Sequence, residues 1–160
     1  MTVLEGKHIV LGVTGSIAAY KSVDLASQLT KKGALVDVIL TEAAAKLVAP
    51  LTFSSVTGRR AYQEEDLWQV DDHVLHIKLG EENQTFLIAP ATANIIAKLA
   101  AGIADDMLCC TVLATKAPVI MAPAMNVNMY ENSVTQDNLA KLRARDFAIV
   151  GPAYGRLASG

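Results

Sequence analysis

The stretch HIVLGVTGSI, residues 8–17, decides the fold of this chain. Its first part, His8–Val13, is a short apolar run typical of a strand that is buried on both faces. A turn that contains Gly15 follows, and a helical pattern begins at Ile17. A helix that starts directly after such a turn presents free backbone N–H groups, which bind anions. The stretch therefore predicts a strand–loop–helix unit with an anion-binding loop.

The rest of the chain alternates between strand and helix patterns. Further strands are predicted over 35–40, 85–89, 119–122 and 147–150, and helices over 17–32, 42–48, 94–101, 105–115 and 133–145. Pro50 is expected to end the second helix, and the polar segment 54–78 is expected to be partly irregular. Because such alternation implies right-handed crossovers, we predict a Rossmann-like, flavodoxin-like three-layer α/β/α sandwich with a parallel sheet. Ligands bind such folds at the carboxyl ends of the strands.

The composition limits the class of protein and its partners. A length of 160 residues favours one domain, and 52% apolar with only 5% aromatic residues indicates a core of Ala, Val, Ile and Leu. A net charge of −2 argues against nucleic acid as a partner. No apolar run reaches the roughly 18–20 residues of a membrane helix. Residues 1–7 do not resemble a secretory signal, and reduced thiols at Cys109 and Cys110 indicate the cytoplasm.

The first loop, GVTGSI over 12–17, favours a mononucleotide over a dinucleotide. It is neither a GxGxxG motif nor a Walker loop, since it has no third glycine and no Gly-Lys-Ser/Thr. A dinucleotide fold also favours an acidic residue at the end of the second strand, where Thr41 stands. Asp37 lies inside that strand and Glu42 is misplaced. By itself the loop is equally consistent with a tight turn that caps a helix.

Two further loops carry unusual side chains after buried strands. Residues 89–94, APATAN, are small and include two hydrogen-bonding side chains, which suits a flat ring or a phosphate. A helix start capped by Thr92 is the plain alternative. Residues 123–130, PAMNVNMY, include Asn126, which can donate and accept at once and so suits a carboxylate or an amide. Met125 can pack on a ring face, although methionines also fill gaps in a core.

The histidines and cysteines give weak signals. His73 and His76 lie three residues apart, but no Cys or carboxylate cluster has zinc spacing, so no metal site is expected. His8 opens the first strand and is expected to be structural. A lone histidine such as His76 is more often a packing residue than a catalyst. Cys109 and Cys110 are expected to be core thiols, and no G-x-S-x-G motif is present.

Taken together, the motifs resemble the flavoprotein family of cysteine decarboxylases. The likeness is closest to the phosphopantothenoylcysteine decarboxylase domain, which in bacteria forms the N-terminal half of a bifunctional coenzyme A biosynthesis flavoprotein. The similar segments span essentially the whole chain and are 12–21, 41–44, 76–77, 79–80, 89–94, 102–106 and 123–129. The P-x-M-N-x-x-M string over 123–129 is specific to these decarboxylases.

The resemblance implies a cofactor, a set of site residues and an assembly. The residues expected to hold FMN are Gly15, Ser16, Ile17, Thr41, Ala43, Thr92, Ala93, Asn94, Ile95 and Met125. His76 is implied as the catalytic base or the residue that positions the carboxylate, and Asn126 as the residue that grips the substrate carboxylate. A homotrimer, or a dodecamer of trimers, with active sites shared between subunits is also implied. His76 would then serve a flavin bound mainly by another chain.

One position departs from the family pattern. The flexible substrate clamp of the family carries a proton-donating Cys in an Ala-Cys-Gly setting, whereas this chain reads Leu-Ala-Ser-Gly over 157–160. The Ser159 hydroxyl is a far weaker acid than a thiol, whose ordinary pKa is about 8.5. Either the last reductive step is slow, or another donor serves, or Ser159 was introduced in place of the natural residue. Since the chain stops inside this clamp, we expect residues 1–160 to be one FMN-binding decarboxylase domain, the N-terminal fragment of a longer bifunctional protein with a ligase domain.

The expected function is FMN-dependent oxidative decarboxylation of the cysteine moiety of 4'-phosphopantothenoylcysteine, which gives 4'-phosphopantetheine in coenzyme A biosynthesis. A peptidyl-cysteine decarboxylase of the lantibiotic type, which stops at an enethiol, is one alternative that Ser159 mildly favours. A non-catalytic flavin-binding regulatory subunit is another, and the presence of both His76 and Asn126 argues against it. Flavin prenyltransferases share the fold, but the P-x-M-N string argues against them.

Overall fold

Six parallel strands form one sheet in the computed structural model, which describes residues 2–69 and 74–155. The strands are β1 His8–Val13, β2 Leu35–Leu40, β3 Ala61–Tyr62, β4 Thr85–Ala91, β5 Val119–Pro123 and β6 Ala148–Ile149. Their order across the sheet is β3-β2-β1-β4-β5-β6. Without the two-residue β3 this is the flavodoxin order, in which β1 and β4 flank the point where the chain reverses its course across the sheet. The predicted parallel sheet is confirmed.

Helices connect the strands. Within the described residues they are the 3₁₀ helices Ile17–Tyr20 and Glu64–Trp68 and the α-helices α1 Lys21–Lys31, α2 Glu42–Ala45, α3 Pro50–Thr57, α4 Leu75–Glu82, α5 Ala93–Ala101, α6 Met107–Ala114, α7 Val127–Glu131 and α8 Ser133–Ala144. The predicted helix over 17–32 therefore begins with a 3₁₀ turn. Ser16 caps that turn, because its side chain accepts a hydrogen bond from the backbone N–H of Ala18.

The helices cover both faces of the sheet and create two separate cores. Helices α1 and α3 pack together on one face, where Phe53 is fully buried. Helix α4 packs on α6 and α5 on α8 at the other face, where Leu108 is buried. Val10 belongs to this second core and its neighbours Ile9 and Leu11 to the first, as the alternation of side chains along a strand requires. The predicted three-layer sandwich is confirmed.

Pro50 begins a helix instead of ending one. The helix predicted over 42–48 is limited to Glu42–Ala45, and α3 starts with Pro50 in its first turn. The first N–H groups of a helix have no partner inside that helix, so the missing N–H of proline costs nothing there. Its φ is also already helical. The prediction that Pro50 ends a helix was therefore wrong.

The segment 54–78 is more regular than expected within its described part. It contains the end of α3, strand β3, the 3₁₀ helix Glu64–Trp68 and the start of α4. Strand β3 exists because Ala61 and Tyr62 pair with the distant residues Val38 and Ile39. Pairing over this sequence separation leaves no local periodicity in a sequence. His76 lies in the first turn of α4, the helix that precedes strand β4.

Gly80 sets the distance between α4 and α6. A Cβ atom built on Gly80 would lie 2.9 Å from the Cβ of Ala114 and 3.1 Å from the backbone oxygen of Thr111. We predict that Gly80→Val lowers the free energy of unfolding by about 2–3 kcal/mol, because the added side chain overpacks this contact. Urea unfolding followed by circular dichroism measures the change.

Gly155→Val is the matched control, because a Cβ atom at Gly155 would meet nothing within 4 Å. We expect this variant to unfold within about 0.5 kcal/mol of the wild-type protein. Equal stability of the two variants would contradict the close packing of α4 on α6.

Candidate functional site

The buried hydroxyl of Thr14 joins the first two loops at the carboxyl edge of the sheet. Its Oγ1 donates a hydrogen bond to the carbonyl oxygen of Pro90 at 2.5 Å and accepts one from the backbone N–H of Thr92 at 3.0 Å. Thr14 is 1% exposed, so both bonds are shielded from water. The sequence analysis did not single out Thr14. A polar residue directly after a buried strand is the signal that points to it.

Two backbone hydrogen bonds bring the remaining loops to the same edge. The N–H of Ala124 donates to the carbonyl oxygen of Ala91 at 3.0 Å, which holds the third loop against the second. The N–H of Thr41 donates to the carbonyl oxygen of Val13 at 3.1 Å, which holds the end of β2 beside the first loop. The loops after β1, β2, β4 and β5 therefore form one surface.

This surface encloses two adjoining cavities, of about 590 and 240 Å³, which we call the strand-tip cleft. The two cavities share Gly15, Thr92, Ala93 and Met129. The larger one is also lined by Ser16, Ile17, Ala18, Tyr20, Lys21, Pro123, Ala124, Met125, Asn126, Pro152, Ala153 and Gly155. The smaller one is also lined by Thr14, Thr41, Ala43, Asn94, Ile95 and Asp106. All ten residues predicted to hold FMN line the cleft, and so does Asn126.

Three helix N-termini open onto the cleft. Ser16 caps the 3₁₀ helix, Thr41 caps α2 and Thr92 caps α5, each by accepting a backbone N–H with its side-chain oxygen. The other first-turn N–H groups of a helix have no partner inside that helix and carry the positive end of its dipole. An anion such as a phosphate fits here, as the motif at residues 12–17 predicts.

Gly15 lies too close to α2 for any side chain. A Cβ atom built on Gly15 would lie 2.4 Å from the Cβ of Ala43. The backbone of the first loop and the start of α2 therefore converge in the smaller cavity. The larger cavity also presents apolar side chains, because Ile17 and Met129, which line it, are more than half exposed. An anion cradle beside exposed apolar side chains fits a flat aromatic ring with a phosphate tail.

Asp37 is not available to hold a nucleotide ribose. Its buried carboxylate accepts two hydrogen bonds from Arg59, at 2.8 Å from Nε and 2.9 Å from Nη2. The hydrogen bond to Asp37 raises the pKa of Arg59, so the guanidinium stays charged. Thr41 follows β2, and its hydroxyl is committed to the cap of α2. This arrangement supports a mononucleotide, as the sequence analysis favours.

Asn126 lines the cleft and also caps a helix. Its Oδ1 accepts a hydrogen bond from the backbone N–H of Asn128 at 2.8 Å and so caps α7, a short helix that the sequence analysis did not predict. The Nδ2 group is left to donate to a ligand. An amide donor suits a carboxylate.

His76 lies outside the strand-tip cleft. It lines a separate cavity of about 420 Å³ with Leu67, Trp68, Gln69, Ala104, Asp105 and Cys110, none of which lines the cleft. Its Nδ1 is buried and has no hydrogen-bond partner among residues 2–69 and 74–155. Trp68, at 78% exposed, presents apolar surface beside it. Within the described residues, one chain does not bring His76 and Asn126 into the same cavity.

The two cysteines are not poised as nucleophiles. Burial raises the pKa of the Cys109 thiol, and burial also raises that of Cys110, so both are protonated at neutral pH. Asp105, Asp106 and Cys109 come within 4.8 Å of one another, but Lys98 pairs with both carboxylates at 2.8 and 2.9 Å. A protonated thiol beside two carboxylates that already pair with Lys98 does not fit a metal cation.

Two residues singled out from the sequence lie outside the described residues. They are His73 and Ser159, the latter at the position of the family's clamp cysteine. Within the described residues, no helix has the length and apolar character that a crossing of a membrane requires.

The two curated relatives described next carry the same protein name. The chain is 45% identical to the coenzyme A biosynthesis bifunctional protein CoaBC of Vibrio vulnificus over all 160 residues, which cover 40% of that protein. Identity to CoaBC of Bacillus subtilis is 42% over 98% of this chain and 39% of the relative. The chain thus spans about 40% of the length of these curated relatives.

Solved structures share the fold over nearly the whole chain. A Cys-to-Ser mutant of PPC decarboxylase complexed with pantothenoylaminoethenethiol has a TM-score of 0.87 and 30% identity, covering 98% of this chain and 87% of that one. The FMN-dependent cysteine decarboxylase SpaF has a TM-score of 0.84 and 34% identity, covering 92% and 85%. The family model described as Flavoprotein matches residues 2–159. The chain belongs to the Flavoprotein family.

Proposed function

We propose that this chain binds FMN in the strand-tip cleft and oxidatively decarboxylates the cysteine moiety of 4'-phosphopantothenoylcysteine. The product is 4'-phosphopantetheine, an intermediate of coenzyme A biosynthesis. One observation carries the proposal: a single cleft gathers the ten residues expected to hold FMN and the amide donor of Asn126. The names of the curated relatives and of the PPC decarboxylase structure support the same reaction.

The reaction needs an electron acceptor that amino-acid side chains do not supply. Loss of CO2 from an ordinary cysteine carboxylate leaves an electron pair that nothing stabilises. FMN held by the ten residues of the strand-tip cleft would supply the two-electron redox chemistry that the thiol-bearing carbon requires and that the final reduction reverses. The oxidised carbon–sulfur group then takes up the electron pair that CO2 leaves behind, and an enethiol results.

The chain's own residues bind and orient the reactants. The Nδ2 group of Asn126 donates to the substrate carboxylate and holds it in the larger cavity. Met125 and Met129 provide apolar walls that exclude water from the ring and the reacting carbon. Position 159 is the proposed proton donor for the last reduction, which a serine performs more slowly than a cysteine.

His76 serves the cleft of a neighbouring subunit in this proposal. It lines a cavity apart from the cleft, next to the exposed side chains of Trp68 and Ile77, where a second chain can pack. A homotrimer, or a dodecamer of trimers, provides that second chain. The proposed location is the cytoplasm, where coenzyme A precursors are made and where two free thiols persist. That the chain belongs to a longer bifunctional protein stays a prediction.

A peptidyl-cysteine decarboxylase is the second candidate, which only the serine at position 159 mildly favours. Incubation with a peptide that ends in cysteine and with phosphopantothenoylcysteine separates the two, because each activity releases CO2 from only one of them. The mass of the product then distinguishes an enethiol from the reduced thiol. The regulatory alternative predicts that neither substrate releases CO2.

We predict that Gly15→Ala weakens FMN binding by at least tenfold, because the new Cβ pushes α2 away from the first loop. Fluorescence titration of the apoprotein with FMN measures the affinity. Ala43→Gly removes the one side-chain atom that the new Cβ meets, so the double variant is expected to regain much of the affinity. Full FMN affinity of the single variant would contradict the proposed cradle.

We predict that Asn126→Asp keeps FMN bound but lowers CO2 release by at least 100-fold. The aspartate oxygen still caps α7, whereas the other oxygen repels the substrate carboxylate instead of donating to it. Asn132→Asp is the matched control, because Asn132 caps α8 in the same way and does not line the cleft. Equal losses in the two variants would assign the effect to the helix caps.

We predict that His76→Asn keeps FMN bound and lowers CO2 release by about 10²- to 10⁴-fold, the range of general acid–base catalysis. His8→Asn, at the start of β1, is the control and is expected to keep its activity. Unchanged turnover of His76→Asn would remove this residue from the mechanism.

Coexpression of His76→Asn with Asn126→Asp tests whether subunits share the site. Mixed oligomers contain some sites in which both residues are native, so activity is expected to return to part of the wild-type value. If each site uses one chain only, the mixture stays as inactive as its parents.

A further inference from the structure

The larger cavity of the strand-tip cleft is almost free of charge. Among its described lining residues, Lys21 is the one lysine or arginine, and no aspartate or glutamate is present. The smaller cavity contains one carboxylate, that of Asp106, which pairs with Lys98 at 2.9 Å. Some anionic groups of a ligand will not bind at the three helix N-termini. Such a group meets a single positive side chain, that of Lys21, among the described residues that line the cleft.

Lys21 lines the larger cavity from the start of α1. It is the first residue of α1, it is exposed, and its Nζ lies 6.0 Å from the centre of the Tyr20 ring. Tyr20 is itself 63% exposed and lines the same cavity. An exposed aromatic face attracts a nearby ammonium group and limits where it goes. The ammonium group of Lys21 therefore lies near a ring that lines the same cavity.

The proposed substrate carries two anionic groups that need separate partners. Its carboxylate is assigned to Asn126, and its phosphate lies at the opposite end of the pantothenoyl arm. Asn126 is a neutral donor and cannot neutralise a phosphate that carries a charge of about −1.5 to −2 at neutral pH. With no acidic side chain lining the larger cavity among the described residues, an exposed phosphate is drawn to the one ammonium group.

We propose that Lys21 is a specificity-determining residue that binds the phosphate at the far end of the substrate. This inference rests on the proposed function and names the residue that separates a phosphorylated pantothenoyl substrate from a peptide that ends in cysteine. Lys21 contributes nothing to bond breaking. It acts on binding and therefore on kcat/KM.

The FMN phosphate is the other anion that Lys21 can reach. The N-termini of the 3₁₀ helix and of α2 already provide that phosphate with backbone N–H groups. The two roles differ in a measurable way. A partner of the FMN phosphate affects all substrates equally, whereas a partner of the substrate phosphate affects only phosphorylated ones.

The test compares 4'-phosphopantothenoylcysteine with pantothenoylcysteine, which lacks the phosphate, in the FMN-loaded protein. Lys21→Met is expected to lower kcat/KM for the phosphorylated substrate by about 10- to 100-fold, the range for a hydrogen bond to a charged group. The value for the unphosphorylated substrate is expected to change less than twofold. Lys21→Arg should retain most of the preference, and Lys31→Met, at the other end of α1, should retain all of it.

Binding of 4'-phosphopantetheine and of pantetheine, measured by calorimetry, gives a readout that does not depend on turnover. Lys21→Met is expected to weaken only the binding of 4'-phosphopantetheine, and added salt should reduce the wild-type preference because the site is exposed. Equal losses with both ligands, weaker FMN binding, or no loss at all would overturn the role of Lys21. A wild-type protein that binds the phosphorylated ligand through Lys21 but releases no CO2 would instead overturn only the proposed function.

Discussion

The candidate site depends on the two hydrogen bonds of one buried hydroxyl. Thr14 bridges the end of β1 to the second loop, donating to Pro90 and accepting from Thr92 across more than 70 residues of sequence. Both groups that it satisfies are backbone groups next to the irregularity in β4, where the register shifts between Ile88 and Ala91. Without a partner, a buried backbone group costs about 1–3 kcal/mol. The bridge thus holds together the two loops that the topology places at the switch point of the sheet.

The same polar side chains that begin the helices also determine what the cleft can bind. Ser16, Thr41 and Thr92 each use their side-chain oxygen inside a cap, so they leave backbone N–H groups and apolar side chains to face a ligand. Asn126 does the same for α7 and leaves its Nδ2 group to donate in the cleft. The cleft is therefore rich in donors and poor in acceptors. This polarity favours anionic ligands, such as a phosphate or a carboxylate, without any need for a strongly basic chain.

His76 and Asn126 both act in the proposed reaction, but within one chain they line different cavities. Helix α4 packs on α6 through Gly80, and this packing directs His76 into a cavity away from the cleft, beside the exposed ring of Trp68. Its buried Nδ1 has no partner within the part of the chain that the structure describes. A buried ring nitrogen without a hydrogen bond is costly unless a ligand or a second chain supplies one. In our proposal His76 serves the cleft of a second chain.

The amino-acid pattern alone determined the α/β class, the parallel sheet and most strand bounds, because buried strands and capped loops leave local signatures such as His8–Val13 and residues 89–94. The residues expected to hold FMN came from the resemblance to the cysteine decarboxylases. Only the tertiary structure decided which donors remain free, as for Asn126, and which residues meet, as for Thr14 with Pro90. It also decided strand β3 and the separation of His76 from the cleft. These features arise from contacts between residues far apart in the chain, and such contacts have no periodicity that a sequence pattern can reveal.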